Sequence, residues 1–226
     1  MPQVLKRVEG VRAMRQASTK AATVALASTP MLFGEIRQPK SKRYLAIPKV
    51  SSERRQFIPI GYLDSDVICG DKIFFVDDAS LFTFGVLTST MHNAWMRYTY
   101  GRLKSDYSYS NTIVYNNFPW PGFAGEPLSD KHRSAIEQAA QSVLDARAQF
   151  ASSSLADLYD PLTMPPALLK AHQKLDTAVD AAYQPSGGKK TYASDAERVA
   201  FLFELYKRVT SLLPVSTAKK KFKSKL

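Results

Sequence analysis

The spacing of apolar residues changes character near residue 122. Before that point, short runs of β-branched and aromatic residues predict strands at 44–47, at 57–60, across 66–78 with an interruption at 70–72, and at 112–115. Residues 4–27 and the stretch from Leu81 to Gly101 show the three- and four-residue spacing of helices instead. Strands and helices are therefore expected to share the first half of the chain.

Beyond Gly125 the spacing is helical throughout. Ser129 is placed to cap one helix, Pro165-Pro166 open a second, and Ser194 with Glu197 forms a capping box for a third. The pattern predicts an α+β fold, in which a mixed β-sheet with packed helices precedes a small all-α domain. The proposed division is a connecting helix, a mixed-sheet domain, a helical domain and a disordered basic tail, over residues 1–28, 29–121, 122–213 and 214–226.

Positive charge is concentrated at the two ends of the sequence. The chain of 226 residues has a net charge of +11, and residues 1–60 carry 12 Lys and Arg against 3 Glu. Five further lysines lie within residues 214–226. This distribution favours binding to a polyanion, although basic residues that serve only solubility would give the same composition. The single cysteine, Cys69, indicates a reducing compartment such as the cytoplasm, and no apolar stretch is long enough to span a membrane.

Residues for catalysis or metal binding are sparse. Three scattered histidines and one cysteine do not make a convincing metal site, and no glycine-rich phosphate-binding or cofactor-binding loop is present. The stretch "NNFPW", residues 116–120, lacks the proline of an Asn-Pro-Pro-aromatic methyltransferase loop. Asp71 and Lys72 are adjacent, so they do not form the acidic-x-Lys motif of a metal-dependent nuclease. We therefore expect a binding protein without cofactor, metal or active site of its own.

Three stretches resemble the C-terminal part of MmeI-like type IIL restriction–modification enzymes: "IPKVSSERRQFIPIGYLDSDVI", "FGVLTSTMHNAWMRYTYGRLKSDYSYSNTIVYNNFPWP" and "LADLYDPLTMPPALLKAHQKLDTAVDAAY". The resemblance implies a DNA target-recognition domain followed by a helical domain. It also implies double-stranded DNA as partner and an adenine-N6 methyltransferase domain, fused or supplied in trans. S-adenosylmethionine and Mg²⁺ would be bound in family domains that have no match here, and one monomer would read an asymmetric site.

The resemblance places base-reading residues at Lys104 and Asp106, which bracket Ser105, and near Lys49, Asp71 and Lys72. In the major groove guanine offers acceptors and its cytosine partner an amino donor. Lysine only donates and an ionised aspartate only accepts, so the pair at 104 and 106 matches one G·C pair if both point from the same side of an extended segment. The alternative is an exposed salt bridge at 104 and 106 and a simple turn at 71–72.

Further basic residues are candidates for phosphate contacts, which position a duplex without reading sequence. They are Arg37, Lys40, Lys42, Arg43, Arg54, Arg55 and Arg102. The aromatic residues of "YSYS" and "FPWP" are expected to pack inside the fold rather than stack on bases. Two other functions remain open, namely a remnant of a truncated gene and a non-catalytic basic nucleic-acid-binding or scaffold protein.

Overall fold

The computed structural model describes residues 1–35, 37–123 and 127–211, so the predicted tail at 214–226 lies outside the described residues. The chain divides into two compact units, the first Met1–Pro39 and the second beginning at Lys40. In the first unit, helix α1 (Pro2–Gln16) is followed by a short helix α2 (Ala21–Ala25) and a 3₁₀ turn. The single helix predicted over 4–27 is therefore interrupted.

The interruption is stabilised by one arginine near the end of α1. Arg15 donates hydrogen bonds of 2.8 Å to three backbone carbonyls that follow α2. These carbonyls belong to Leu26, Thr29 and Leu32. Because carbonyls at the end of a helix lack partners within the helix, the guanidinium holds the chain folded back on α1. The alanine-rich sequence alone favours one continuous helix and does not reveal this contact.

The second unit contains two small sheets. In the first, β1 (Arg43–Pro48) lies between β3 (Gly61–Asp64) and β4 (Ile73–Asp77). In the second, β6 (Asp106–Ser108) lies between β2 (Val50–Ser51) and β5 (Arg102–Leu103). The four pairings among the described residues are all antiparallel, so the α+β class is confirmed, and the sheets in this part of the chain are antiparallel rather than mixed.

Strands β3 and β4 lie on opposite sides of β1 and both run antiparallel to it, so the connection between them must cross the sheet. It crosses the sheet from the start of β1 to its end, and the buried Tyr44 hydroxyl donates to the carbonyl of Val67 on the way. Residues 66–72, predicted as the first part of a strand, are instead this crossing. Residues 57–60 are also not a strand, because the Ile58 N–H donates to the buried Asn93 side chain at 3.1 Å rather than to a neighbouring strand.

Two further predictions in this region are wrong. The helix predicted from Leu81 is divided into α3 (Leu81–Thr88) and α4 (Thr90–Thr99), because the Ser89 side chain caps the start of α4. Residues 112–115, predicted as a strand, belong to a π-helical turn, Asn111–Tyr115. The Ser110 hydroxyl caps that turn by accepting from the Ile113 N–H at 3.2 Å, an alternative to strand pairing that local composition does not show.

The C-terminal part is helical, as predicted. Its helices are α5 (Asp130–Ala148), α6 (Leu155–Leu158), α7 (Pro166–Tyr183) and α8 (Asp195–Thr210). The side chains of Ser129 and Ser194 accept the expected capping hydrogen bonds from backbone N–H groups, at 3.3 Å each. The caps at Ser129 and Ser194 are therefore confirmed, whereas the Glu197 carboxylate accepts from the N–H of Ala193 at 2.7 Å rather than from that of Ser194, as the predicted capping box requires.

One hydrophobic core extends from the sheets into the C-terminal helices. Helix α3 packs on α5, and α4 packs on α8, where the buried Trp95 ring lies 5.1 Å from Phe203 and 6.2 Å from Tyr206 between ring centroids. Buried Arg147 of α5 also donates to the carbonyl of Ile60 at 2.8 Å, next to β3. The segment around 119–122 thus connects two sequence regions that share one core.

Candidate nucleic-acid interface

Lys49 connects the two sheets at the point where β1 ends and β2 begins. Its N–H donates to the carbonyl of Lys72 at 2.9 Å, and its carbonyl accepts from the N–H of Tyr109 at 2.9 Å. Its ammonium lies 4.5 Å from the centroid of the Phe74 ring, a cation–π contact that orients the side chain. Two predicted base-reading sites, at 49 and at 71–72, are therefore brought together by main-chain hydrogen bonds.

Asp71 and Lys72 lie on the exposed end of the crossing connection. Their charged groups are 3.3 Å apart, and each side chain is more than four-fifths exposed. An ion pair with this exposure contributes little to stability and is easily exchanged for other partners. Both charges are therefore accessible to a ligand, although their contact is also the simple turn pair that the sequence left open.

Lys104 lies at the tip of a β-hairpin. Strands β5 and β6 pair Leu103 with Asp106, which leaves Lys104 and Ser105 as a two-residue turn. We call residues 102–108 the tip hairpin. Lys104 has φ 58°, the left-handed region that Gly and Asn usually occupy in such turns. Its side chain is exposed and makes no ion pair with any residue that the structure describes.

Asp106 follows the turn and has one oxygen engaged. Its Oδ1 accepts from the N–H of Glu53 at 3.3 Å, and its side chain is half-buried. The chain reverses between Lys104 and Asp106, so the prediction that both lie on one extended segment is wrong. The cation is at the tip and the carboxylate at its base, both at the exposed end of the ribbon.

The tip hairpin and the Lys49 edge form one continuous strip. Val50 pairs with Ser108 and Ser51 with Tyr107, so the path from Lys49 to Asp106 follows the β2–β6 ladder for three residues. At 3.2–3.4 Å per residue this separation is about 10 Å. All five predicted base-reading residues thus lie on one edge of the second unit, which the sequence alone did not show.

Several predicted phosphate-binding residues have partners inside the protein. The Arg102 guanidinium donates to the carbonyl of Ser105 at 2.8 Å and to the Tyr107 hydroxyl at 3.2 Å. Half-buried Arg55 donates to the carbonyl of Ala156 in α6 at 3.4 Å. Arg102 therefore closes the turn of the tip hairpin, and Arg55 holds its loop against the C-terminal helices. Both guanidinium groups therefore have partners within the protein, and their contacts with phosphates stay a prediction.

The other predicted phosphate contacts are distributed along the chain. Arg54 is exposed and follows Glu53, so it lies directly beside the tip hairpin. Arg43 stacks over the Tyr62 ring at 4.5 Å, at the opposite end of β1 and about 20 Å from Lys49 by strand length. Lys40 and Lys42 are exposed and precede that end. Arg37 belongs to the first unit, where its guanidinium lies 2.7 Å from the carboxylate of Glu35.

Arg97, in the last turn of α4, connects distant parts of the chain, and the sequence does not indicate this role. Its guanidinium is 2.6 Å from the carboxylate of Asp195, donates to the carbonyls of Arg55 and Gln56, and lies 5.5 Å from the Tyr107 ring centroid. These partners are 10 to 98 positions away along the sequence. A lone arginine on a helix carries no local signal that would identify such a contact.

The histidines and aromatic residues behave as structural groups. Burial lowers the pKa of His92 and of His172 to about 3, so both are neutral at physiological pH. Tyr109 and Phe118 are buried, in agreement with the prediction that the aromatic motifs pack inside the fold. Within residues 1–35, 37–123 and 127–211, no three His, Cys, Asp or Glu side chains are grouped to hold a metal, and no helix has the length and hydropathy of a membrane span.

Comparisons with known proteins agree with this arrangement. The family described as "MmeI, target recognition domain" matches residues 1–122, and "MmeI, C-terminal domain" matches residues 128–214. DNA methyltransferase A of Bacillus subtilis (strain 168) is 37% identical over 209 residues, which are 92% of this chain and 22% of that protein.

A solved structure of the type IIL restriction–modification enzyme MmeI in complex with DNA superimposes with a TM-score of 0.82 at 49% identity. The match covers 94% of this chain and 27% of that one, so this chain spans about a quarter of the length of such relatives. The chain therefore belongs to the MmeI family, of which it contains the target recognition domain followed by the C-terminal domain.

Proposed function

We propose that this chain recognises a specific double-stranded DNA sequence by reading bases in the major groove. The observation that carries the proposal is the tip hairpin, whose exposed end presents Lys104 and Asp106 beside the edge formed by Lys49 and Lys72. A two-stranded β-ribbon is one of the elements that the major groove of B-DNA admits. The MmeI structure, to which this chain is 49% identical, was solved in complex with DNA.

The chemistry of the hairpin matches a G·C base pair. Lys104 supplies donors for guanine O6 and N7, and the second oxygen of Asp106 accepts from the N4 amino group of cytosine. If the two bases were exchanged, donor would face donor and acceptor would face acceptor. The correct pairing is therefore expected to be favoured over the exchanged one by roughly 1–3 kcal/mol. The separation of the two groups along the hairpin, rather than a position on one strand face, would allow them to meet different bases.

Positive side chains around the strip would contact phosphates. Arg54 lies next to the tip hairpin and is exposed, while Lys40 and Lys42 lie toward the far end of β1. Both groups belong to the same compact unit, and we propose that they contact the phosphates of one DNA molecule. Such contacts orient the DNA and carry no sequence information.

The recognised site would be presented to a catalytic domain. We assign to this chain the role of a recognition module for an adenine-N6 methyltransferase, fused to it or supplied in trans, that flips the target adenine out of the duplex. S-adenosylmethionine would supply the methyl group there, and Mg²⁺ would serve a nuclease domain. The module would act as a monomer, because one copy carries the complete strip, and we propose the cytoplasm as its location from the single cysteine.

The proposal is tested by selection from random duplexes with the full 226-residue chain. We expect repeated gel-shift selection to converge on one sequence that contains a fixed G·C pair. Affinity for that sequence should fall with a linear slope in log salt, as phosphate binding releases counterions. Binding without convergence would instead identify a general basic nucleic-acid-binding protein, and no binding would leave the chain as a folded remnant.

A further inference from the structure

The tip hairpin has little support from its own backbone. Strand β5 has two residues, β2 has two, and β6 has three, so the second sheet is very small. Short ribbons of this size are marginally stable without side-chain packing. A group that reads a base must be held to within about 0.5 Å, which requires support from neighbouring side chains. The contacts that fix the hairpin are therefore part of its function.

Tyr107 is the side chain through which the hairpin is held. It is the partner of Arg102 across the β5–β6 ladder, and the Arg102 guanidinium lies 4.2 Å from the centroid of its ring. The Arg97 guanidinium lies 5.5 Å from the same centroid. Cations stacked on an aromatic ring are attracted by its π-electrons, and planar guanidinium groups are suited to this contact.

Arg97 connects that ring to the rest of the protein. Its side chain is 15% exposed, and its guanidinium also contacts the carbonyls of Arg55 and Gln56 and the carboxylate of Asp195. Asp195 is the first residue of α8, which belongs to the C-terminal domain. One arginine therefore contacts the tip hairpin, the loop that precedes β3, and the C-terminal helices.

We infer that Arg97 is a positioning residue for base reading and that the C-terminal domain holds the tip hairpin in place through Asp195. The inference rests on the proposed function, since a hairpin that does not read bases needs no such alignment. Loss of the Arg97 contacts should broaden the orientations of the hairpin and leave phosphate contacts elsewhere intact. Discrimination at one base pair should then fall while general affinity for DNA is retained.

The test compares three variants of the full chain. Arg97→Lys keeps the charge but removes the planar group, and Asp195→Asn removes the ionic partner while Arg97 stays stacked. Arg198→Lys is the matched control, because Arg198 of α8 pairs with Asp180 at 3.0 Å and lies 5.1 Å from a tyrosine ring. The control removes the same kind of contact at a position that is not in contact with the hairpin.

Two measurements are made on each variant. Amide hydrogen exchange of the peptide that contains residues 102–108, without DNA, should accelerate several-fold in Arg97→Lys and less in Asp195→Asn. Random-duplex selection, followed by salt titration of the selected duplex, should show about tenfold weaker preference at one base pair and an unchanged salt slope. Arg198→Lys should leave the exchange rate of the hairpin and the selected sequence as they are in the parent.

The outcomes separate the inference from the proposed function. If the parent selects one sequence and Arg97→Lys selects it with the same preference, the positioning role is refuted and the proposed function stands. If Arg97→Lys weakens all duplexes equally and lowers the salt slope, Arg97 is a phosphate contact and the inference is again wrong. If the parent selects no sequence, the proposed function has failed, and the inference fails with it.

Discussion

Replacement of Lys104 by glycine should raise stability and lower sequence discrimination at the same time. Lys104 has φ 58° at the turn of the tip hairpin, where glycine is accommodated without steric conflict. The left-handed conformation costs a residue with a Cβ atom roughly 1–2 kcal/mol, and the greater freedom of glycine in the unfolded chain offsets about 0.5–1 kcal/mol of that. We therefore expect Lys104→Gly to increase the free energy of unfolding by about 0.5–1 kcal/mol.

The same replacement removes the ammonium group that is proposed to meet guanine. The loss of one base contact corresponds to roughly 1–3 kcal/mol of discrimination, so preference for the G·C pair should fall by about tenfold or more. Because the contact is to a base and not to a phosphate, the salt slope should stay close to that of the parent. A phosphate contact would lower the slope by about 0.9 instead.

Lys104→Ala is the control that separates backbone from side chain. Alanine keeps the Cβ atom and its conflict with a positive φ, so its stability should lie within about 0.5 kcal/mol of the parent. It lacks the ammonium, so its DNA preference should fall as far as that of the glycine variant. Urea unfolding at pH 7.5 measures stability, and competition gel shifts with duplexes that differ at one base pair measure preference.

Three results would contradict this reasoning. Lower stability of Lys104→Gly would mean that Lys104 does not have a positive φ in this turn. Unchanged preference in both variants would show that Lys104 does not read a base. A loss confined to the glycine variant would assign the effect to hairpin flexibility rather than to the ammonium group.

Three further predictions use the same assays. Lys104→Glu combined with Asp106→Arg should invert the preference at one base pair and leave the salt slope nearly constant. If the double variant ranks a panel of duplexes as the parent does, these two residues do not read that pair. Arg54→Ala should weaken all duplexes alike and lower the slope by about 0.9, whereas a sequence-dependent loss would make Arg54 a base contact. Burial lowers the pKa of His92 and of His172 from 6.5 to about 3. The free energy of unfolding is therefore unaffected by these histidines above pH 6.5 and decreases as the pH falls from 6.5 toward 3. Each histidine should therefore lower the free energy of unfolding by about 2 kcal/mol at pH 5 relative to pH 7.5, and urea unfolding of His92→Gln should lack its own share of about 2 kcal/mol.

The parts of the fold that the sequence predicted correctly are those determined by local signals. Helices α5, α7 and α8 have strong apolar periodicity together with capping residues or proline at their starts, and these signals agree with the tertiary structure. Strand β1 was predicted for the same reason, since its β-branched and aromatic residues lie between prolines and charges. The α+β class follows from these elements.

The parts that were predicted wrongly depend on single side chains that form distant or competing contacts. Ser89 divides the helix predicted from Leu81 because its hydroxyl donates to Val86 and also caps the next helix, a role that any mid-helix serine could have in principle. The strand predicted at 112–115 is a turn in which only Val114 is buried, and the Trp95 indole holds that residue by donating to its carbonyl at 3.1 Å. Neither contact has a signature in the local sequence.

The candidate site shows the same division. The sequence predicts that Lys104 and Asp106 lie in an exposed polar segment. The structure places both residues at the end of a hairpin. The sequence does not predict the conformation of the segment. An Asn-Gly pair would indicate a two-residue turn with positive φ, whereas a lysine does not. Arg97 was missed because its partners are far away along the chain.

The distribution of contacts in the tip hairpin explains how recognition could change without loss of the fold. Arg102, Tyr107 and Arg97 form the contacts that support the ribbon, whereas Lys104 contributes no ion pair among the described residues. Asp106 contributes one hydrogen bond of 3.3 Å, a long and partly exposed contact that is expected to stabilise by less than about 1 kcal/mol. Substitutions at 104 and 106 should therefore alter the base that is read at little cost to stability, whereas substitutions at 97 and 107 should reduce discrimination whatever base is read.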